Sequence, residues 1–452
     1  MTTELVREDN SFVSAFRLAT PQRSNDPEWL RNLREESFQR FQHQGFPTVN
    51  NEEWKYTNVS SIAKSRFNPV IAANGTPLSK QNTLKPFIYE ETRNSAFIFV
   101  NGIFRRDLSS VESLTAGVTA VDLAEALRNS EHERLIREAF ERQDFAAENS
   151  FTLLNSALFA GGLFIRIQSG VSIAPPIQLQ FISESVGGDA AAAAFPRAIV
   201  VCDSQSSVTV IESYRARDDR ETYFTNAMVD LVLGDGARVQ HYKLQREGAR
   251  ASHIATTRVR LGRDAVYDTT TINLGAALSR HDINVTMDHE GASCSVDGLY
   301  MVDGTQHTDT HSVIDHRKPH CSSHQLYKGI LDGKSRAVFN GKVFVRHGAQ
   351  QTDAQQTNKN LLLSNDAQID TKPQLEIYAD DVKCAHGAAV GQLDEDQMFY
   401  LQSRGMNPVL SKNILTYGFA EEVIGKIQIE SIKRELDETV LNRLHSEFQI
   451  EV

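Results

Sequence analysis

The chain has 452 residues, of which 40% are apolar and 23% charged, and its formal net charge is −11 at pH 7. This length is sufficient for two or three domains with a large buried core. The acidic balance argues against a nucleic-acid groove or an anionic membrane as the main partner. No apolar run reaches the length of a membrane span, and the acidic N-terminus does not have the apolar segment of a secretory signal.

The cysteines indicate a reducing compartment. Cys202, Cys294, Cys321 and Cys384 lie far apart, and no two of them form a Cys-x-x-Cys pair. Such spacing is typical of free thiols rather than of a disulfide framework, so we expect a cytoplasmic protein. The same spacing excludes a closed four-ligand zinc motif.

The first part of the chain predicts a mixed helical domain over residues 1–153. Residues 1–20 are polar, and we expect them to be loose. From Asp26 to Gly45 an acidic cap, a proline and apolar residues at near-helical spacing predict a helix. A short strand is predicted at residues 96–100, followed by an acidic helical pattern at about residues 121–145.

Residues 154–392 are predicted to form the β-structured core. From about Leu154 the apolar pattern changes to a period of two, in short stretches separated by Gly, Asp and Asn, which indicates strands. The clearest stretches are Leu163–Ile167, Ile177–Ile182, Ser207–Ile211 and Met228–Leu233.

A turn motif recurs within this core. Its aligned alanines are Ala237, Ala265 and Ala292, at spacings of 28 and 27 residues, and a similar turn ends at Ala367, 75 residues or about three turns of 25 further on. A strand–turn–strand unit of near-constant length predicts successive coils of a solenoid. A β-sandwich also has many short strands, but the period favours a right-handed parallel β-helix whose helical ends cover its terminal coils.

The last part, residues 393–452, is predicted to contain three helices. The first begins with acidic residues after Leu393 and ends at Gly405. The third has apolar residues at a strict spacing of four: Ile432, Leu436, Val440, Leu444 and Phe448. The second has an apolar stripe formed by Ile414, Leu415, Phe419, Val423 and Ile427.

Several familiar catalytic patterns are missing or weak. His316, His320 and His324 have the spacing of a zinc face on a helix, but Pro319 interrupts such a helix. Solvated or hydrogen-bonded histidines in a strand and a turn are therefore favoured, with a small contribution to metal capture left open. The sequence contains no Gly-x-x-x-x-Gly-Lys-Ser/Thr loop for ATP hydrolysis and no Gly-x-Ser-x-Gly nucleophile elbow.

Cys384 and His386 form the most suggestive pair. In an extended strand they would face the same side. Thiolate and imidazole both bind iron and zinc, and mixed Cys/His ligation occurs in iron–sulfur clusters. Lys383 could lower the pKa of the thiol. Alternatively, the cysteine is a small buried apolar residue and the histidine a structural one. The pair predicts half of a metal or cluster site, whose other ligands would come from elsewhere.

Five motifs resemble the SufB/SufD family, the scaffold subunits of the SUF iron–sulfur cluster assembly machine. After His386, the residues Gly387 and Val390–Asp394 are similar to the SufD branch, whereas in the SufB branch Glu-Ala-Thr usually follows the histidine. The five matching motifs are Glu53–Thr57, Gln325–Leu331, Ala349–Ala354, Asp370–Ala388 and Gly391–Gly405.

The resemblance implies a non-catalytic scaffold subunit of a SufB–SufC–SufD complex. Such a subunit is a β-helix that pairs with SufB through the last strands of both solenoids. His386 would face a SufB cysteine, with Cys384 nearby, and the two chains would share transient iron or a nascent cluster. The ATPase SufC would hydrolyse ATP and dock on about residues 394–426. Candidate contacts for SufC are Phe399, Tyr400, Arg404, Tyr417 and Phe419.

Other readings stay open at this point. Reduced flavin is possible in the complex, although no residue here suggests a flavin site. The chain could instead be a SufB-like subunit that carries the cluster itself, and it could form a homodimer when isolated. A β-helix enzyme acting on polysaccharide is a distant alternative, because it would need a row of carboxylates in a groove, and the sequence shows none.

Overall fold

The structure is a computed structural model that describes residues 10–71, 84–112, 114–141, 148–184, 186 and 190–445. The predicted helical residues at 142–145 and 446–452, and the N-terminal residues 1–9, lie outside these ranges. The α-helices are α1 (Ser11–Ala19), α2 (Glu28–Gln44), α3 (Ser60–Lys64), α4 (Leu123–Ala126), α5 (Ser130–Glu141), α6 (Ser150–Leu158), α7 (Glu395–Ser403), α8 (Pro408–Ile424) and α9 (Glu430–His445).

The strands follow the predicted alternation and extend most of the predicted stretches. In chain order they are β1 (Phe67–Pro69), β2 (Ala96–Val100), β3 (Ile103–Phe104), β4 (Val118–Asp122), β5 (Leu163–Ile167), β6 (Ile177–Ser183), β7 (Ala191–Ala194), β8 (Arg197–Cys202), β9 (Ser207–Ala216), β10 (Tyr223–Leu233), β11 (Arg238–Arg246), β12 (Ser252–Leu261), β13 (Val266–Asn273), β14 (Leu278–Met287), β15 (Ser293–Val302), β16 (His307–His316), β17 (Ser322–Leu331), β18 (Arg336–Val345), β19 (Thr352–Leu362), β20 (Gln368–Ile377) and β21 (Val382–Gly391).

The core is a two-sheeted parallel solenoid, as predicted. Sheet A contains the even-numbered strands from β8 to β20, and sheet B contains the odd-numbered strands from β9 to β21. Phe224, Ser252 and Leu278 occupy successive rungs of sheet A, so two coils take 28 and 26 residues (252 − 224; 278 − 252). About seven turns lie between residues 177 and 391. The competing β-sandwich is excluded, because neighbouring strands of the coils are parallel.

The recurrent alanine turn marks one edge of the solenoid. Ala237, Ala265 and Ala292 each precede a strand of sheet B, are fully buried, and lie on successive coils. Ala367 instead precedes β20 in sheet A, so its assignment to the same column, three turns of 25 further on, is wrong. Both edges of the solenoid need a polar turn followed by a small buried residue, and the motif therefore does not distinguish them.

The N-terminal region packs on the outer face of sheet A. Helix α1 lies where a loose segment was expected, and that expectation is wrong for residues 11–19. Asn10 caps this helix, and Phe12 and Phe16 are buried against other aromatic rings. Every residue of α6 is buried, so the strand pattern begins at Leu163 rather than at Leu154. The division into domains at residues 153 and 392 stays a prediction.

The first coil ends in short antiparallel strands. Strand β3 turns back on β2 through Asn101 and Gly102, whose φ angles of 48° and 82° suit a two-residue hairpin turn. Strand β4 pairs antiparallel with β5 and ends sheet A, just as β3 ends sheet B. These short strands finish the parallel ladders.

The C-terminal helices fold back along the outer face of sheet B. The predicted stripe of Ile432, Leu436 and Val440 is fully buried there. The sheet contributes an apolar outer surface to this contact: Tyr242, Leu244, Ile272, Leu274, Leu299, Met301, Leu326 and Ile330. The expectation that helices cover both terminal coils is therefore wrong at the C-terminal end, because α8 and α9 bury this flank instead. No helix in the described ranges is long and apolar enough to cross a membrane.

Candidate functional site

The candidate site lies on the last strand of the solenoid. Within the part of the chain that the structure describes, β21 pairs only with β19 and β20 only with β18, so each has one edge with unpaired backbone groups. Both strands have ten residues. Cys384 shares a rung with Ala354, and His386 shares a rung with Gln356. Since Ala354 and Gln356 are both buried inside the solenoid, the predicted pair continues two inward-facing columns to the open end.

Cys384 is the most exposed of the four free cysteines, and it is half-buried, whereas the other three are buried. Burial raises the pKa of the Cys384 thiol. The prediction that Lys383 lowers this pKa is wrong. Lys383 is the adjacent residue of an extended strand, so it points to the opposite face, into solvent.

His386 is exposed, and its side chain makes no hydrogen bond or ion pair within the part of the chain that the structure describes. His386 lies on the last strand of sheet B, which has no further strand beyond it among the described residues. Its imidazole is therefore accessible to a ligand or to another chain.

The rim of the open end is apolar. Ile377 is 40% exposed at the end of β20, Tyr378 follows it at 48%, and Val390 on β21 is 48% exposed. Pro373 in β20 cannot donate a backbone hydrogen bond, which suits a strand at an edge. Long bare edges are uncommon in monomers, because they pair with other chains.

Beneath His386 runs a ladder of buried amides that the sequence reading missed. Gln325 Nε2 donates to Ser312 Oγ at 2.8 Å, and Gln356 Nε2 donates to Gln325 Oε1 at 2.6 Å. Gln325, Gln356 and His386 occupy one column of sheet B, at spacings of 31 and 30 residues (356 − 325; 386 − 356). The coil period of about 30 residues is the signal that could have found this column.

The three histidines of the possible zinc face do not share a helix. His316 is buried inside the solenoid, where burial lowers its pKa to about 4 and its Nε2 is 2.8 Å from Ser323 Oγ. His320 lies in the following turn with a φ of 59°, and His324 is on the next strand. The preference for hydrogen-bonded histidines in a strand and a turn is confirmed for His316.

The Glu53–Thr57 motif forms a strap across the outer face of sheet A. Trp54 is 4% exposed, and the guanidinium of Arg280 lies 3.8 Å from the centre of its ring. Lys342 Nζ donates to Glu53 Oε1 at 2.9 Å, and Thr57 Oγ1 donates to Asp309 Oδ2 at 2.6 Å. The strap thus contacts strands β14, β16 and β18.

An ion pair between Glu53 of the strap and His311 of sheet A helps to hold the strap in place. A hydrogen bond from His311 lowers the pKa of Glu53 to about 2, despite partial burial. Burial and Arg280 lower the pKa of His311, but Asp309 and Glu53 outweigh them and raise it. Glu53 and His311 are therefore charged together over a range of acidic pH.

The candidate SufC contacts fall into two groups. Phe399 and Tyr400 are 72% and 57% exposed on α7, a helix with no buried residue. Arg404 lies over the Tyr400 ring, 5.3 Å from its centre. Tyr417 and Phe419 on α8 are half-buried against sheet B, where Tyr417 donates to Asp437 and Phe419 contacts Lys328.

Among residues 10–71, 84–112, 114–141, 148–184, 186 and 190–445, the structure contains no group of three or more His, Cys, Asp or Glu side chains placed to hold a metal ion. Cys384 and His386 supply two possible metal-binding atoms, and each residue lies at the end of one inward-facing column of sheet B. They fit part of a thiolate–imidazole donor set, the chemistry that iron and zinc accept.

Comparison with known proteins gives a consistent family assignment. The family described as "SUF system FeS cluster assembly, SufBD core domain" matches residues 183–419, and "SufBD protein N-terminal region" matches residues 10–179. A SufBD family protein of Synechocystis is 35% identical over 87% of this chain and 86% of its own length. The iron–sulfur cluster assembly protein SufD of Escherichia coli is 32% identical, over 88% of this chain and 90% of its own length.

A second protein named SufD, from Bacillus subtilis, is 26% identical over 95% of this chain and 96% of its own length. The resemblance predicted from the motifs is therefore confirmed along nearly the whole sequence. The chain belongs to the SufBD family of the SUF iron–sulfur cluster assembly system.

Proposed function

We propose that this chain is the non-catalytic, SufD-type subunit of a SufB–SufC–SufD complex, and that it supplies His386 to an iron or cluster site completed by SufB. The observation that carries the proposal is the position of His386: an exposed imidazole on the bare last strand of the solenoid. Iron and the nascent cluster are the cargo of this site.

The bare edges of β20 and β21 support pairing with the last strands of a second solenoid. Unpaired N–H and C=O groups of β20 and β21 could continue both ladders into a partner, as in other cases of strand addition. Exposed Ile377 and Val390 would then be buried between the two terminal coils. A second copy of this chain could occupy the same face when SufB is absent.

Cys384 supports the same site in a lesser role. Its thiol is half-buried and its raised pKa disfavours the thiolate. A metal ion close by would have to displace that proton before the sulfur could bind. His386 is therefore the stronger candidate ligand, because a neutral imidazole binds metal without losing a proton.

Exposed aromatic residues on α7 support a dock for SufC. Phe399 and Tyr400 lie side by side on a helix that buries none of its residues in this chain. Aromatic side chains and arginine are enriched at the centres of interfaces. Arg404 adds the cation at the end of the same helix, whereas Tyr417 and Phe419 contribute from the half-buried side of α8.

The remaining parts of the proposal concern setting and cofactors. The complex would work in the cytoplasm, where the four free thiols remain reduced. ATP would be hydrolysed by SufC, and reduced flavin, if the complex uses it, would be held by residues outside this chain.

Replacing His386 tests the proposed role of this residue. In a His386→Ala variant we expect the SufB–SufC–SufD complex to copurify normally while iron–sulfur enzyme maturation in cells falls at least tenfold. His289→Ala, another exposed histidine on a turn far along the chain, is the control and should have no effect. Normal maturation with His386→Ala would contradict the proposal.

A second experiment tests the proposed SufC dock on α7. We expect Phe399→Ala combined with Tyr400→Ala to weaken SufC binding by about 4 kcal/mol, since each truncated aromatic anchor costs roughly 2 kcal/mol. Leu18→Ala, an equally exposed apolar residue on α1, is the control. SufC that binds both variants with equal affinity, measured by calorimetry, would place its dock elsewhere.

A further inference from the structure

An unused acceptor lies directly beneath His386. Gln356 on β19 is 1% exposed, and its Oε1 has no hydrogen-bond partner among the described residues. It shares a rung with His386 on β21. Paired strands are about 4.8 Å apart, so two side chains on one face of a rung are direct neighbours.

The direction of the Gln356 hydrogen bond indicates where a donor for its free oxygen would have to lie. Gln356 donates toward Gln325, one rung earlier in sheet B, and Gln325 donates across the interior to Ser312 on β16 of sheet A. The last amide therefore presents its acceptor toward the next rung, which is that of His386. A neutral imidazole has one N–H donor and one nitrogen with a free lone pair, so it can supply the missing donor.

The neighbouring inward-facing column differs from this one. Asn358, two residues along β19, accepts hydrogen bonds at its Oδ1 from Thr371 at 2.8 Å and from Asn360 at 2.6 Å. Its acceptor is satisfied within the chain. Other buried side-chain atoms of the described residues also lack a partner, among them Gln374 Oε1 and Asn340 Oδ1, but Gln356 Oε1 lies one rung from an exposed imidazole.

We propose that Gln356 Oε1 accepts a hydrogen bond from one ring nitrogen of His386. This bond fixes the tautomer in which the other nitrogen carries its lone pair and is available to iron. Metal-binding histidines commonly donate their second N–H to such an acceptor, which orients the ring and makes it a stronger ligand. Gln356 is then a positioning residue, and its value for iron binding rests on the function proposed for His386.

The tautomer can be measured in the isolated full-length chain, without iron. With ¹⁵N-labelled histidine, nitrogen shifts and two-bond couplings report the protonation of each ring nitrogen, and a His386→Gln variant identifies the His386 signals among the fourteen histidines. We expect one dominant tautomer in the natural chain. In Gln356→Met the tautomer ratio should move about fivefold toward that of free imidazole, which corresponds to about 1 kcal/mol.

Two further variants separate the hydrogen bond from general effects on folding. Gln356→Glu keeps an acceptor at this position, so it should retain the tautomer. Gln355→Met, on the exposed side of the same strand, should change nothing. Unchanged signals from the other histidines show that the variants remain folded.

The outcomes distinguish the inference from the function on which it rests. An unchanged tautomer ratio in Gln356→Met, or a Gln356→Glu variant that behaves like Gln356→Met, would overturn the inference. If the tautomer moves as expected, Fe²⁺ should bind the assembled complex about 10–100-fold more weakly in Gln356→Met. A moved tautomer together with normal cluster assembly in His386→Ala would keep the hydrogen bond and contradict the proposed function.

Discussion

The two ends of the solenoid are built differently. At the N-terminal end the parallel ladders finish in β3, a strand of two residues, and in β4, which runs antiparallel to β5. At the C-terminal end β20 and β21 keep ten residues each and have no strand beyond them in the described chain. Short or antiparallel final strands blunt an edge, whereas long bare ones invite pairing.

The positions of the C-terminal helices add to this difference between the two ends. They are long enough to lie over the last coil, yet α8 and α9 bury the flank of sheet B instead. The C-terminal helices α8 and α9 therefore cover the outer face of sheet B and leave the terminal coil with His386 exposed. This difference between the two ends supports the proposal that the open end pairs with SufB.

The largest expected effect is on stability and comes from the closed end. Phe151 on α6 is 0% exposed in the aromatic cluster beneath the N-terminal helices, so Phe151→Ala should cost about 3–5 kcal/mol of unfolding free energy. Val390→Ala at the open end should change the stability of the isolated chain by less than about 0.5 kcal/mol. Denaturant unfolding measures both, and equal losses would remove the distinction between the ends.

The next effect concerns association at the open end. Ile377→Asp combined with Val390→Asp should weaken binding to SufB at least ~100-fold, because two charges would be buried where apolar contacts are expected. The isolated variant should unfold normally, since both side chains are exposed there. Leu18→Asp, at an exposed position on α1, is the control, and a similar loss with it would indicate a different interface.

The smallest effect concerns the strap between the N-terminal motif and sheet A. Glu53, with its pKa lowered to about 2 from 4.5, stabilises the contact above pH 4.5 and loses this contribution as the pH falls toward 2. His311, with its pKa raised above 6.5, contributes below pH 6.5 and loses this contribution as the pH rises through the raised value. The strap should therefore be tightest between about pH 4.5 and 6.5.

Fluorescence of Trp54 can report this pH dependence in a Trp29→Phe background, since the chain has only two tryptophans. We expect the emission to move to longer wavelength as the pH rises above the window, by an opening worth about 1 kcal/mol. His311→Gln should abolish the high-pH change. An identical pH profile in that variant would assign the titration to another group.

The sequence was sufficient for the solenoid and for the C-terminal helices, because both depend on local periodicity. The strand alternation, the alanine spacing and the stripe of Ile432, Leu436 and Val440 each report a repeating contact. Periodicity does not reveal which surface a helix covers, so the expectation that helices cover the C-terminal coil was wrong. Helix α1 was missed because residues 1–20 were treated as one polar stretch, although five of the nine residues of this helix are buried.

The candidate site was predictable only in part. Cys384 and His386 could be identified by their spacing of two residues in a predicted strand, and the family motifs support them. Gln356 is 30 residues away in sequence, so its place beneath His386 depends on the length of one coil (386 − 356). The effect of Lys383 was misjudged because strand geometry directs it away from the thiol, and burial, which sequence does not show, dominates the pKa.

Amide hydrogen exchange of β21 tests the central claim most directly. The exchange rates of residues 382–391 should be compared in the isolated chain and in the complex with SufB. The open-end interface predicts that the amides facing the bare edge of β21 become protected at least tenfold on SufB binding, with little change along α1 and α2. Unchanged exchange in β20 and β21, together with protection at another surface, would contradict it.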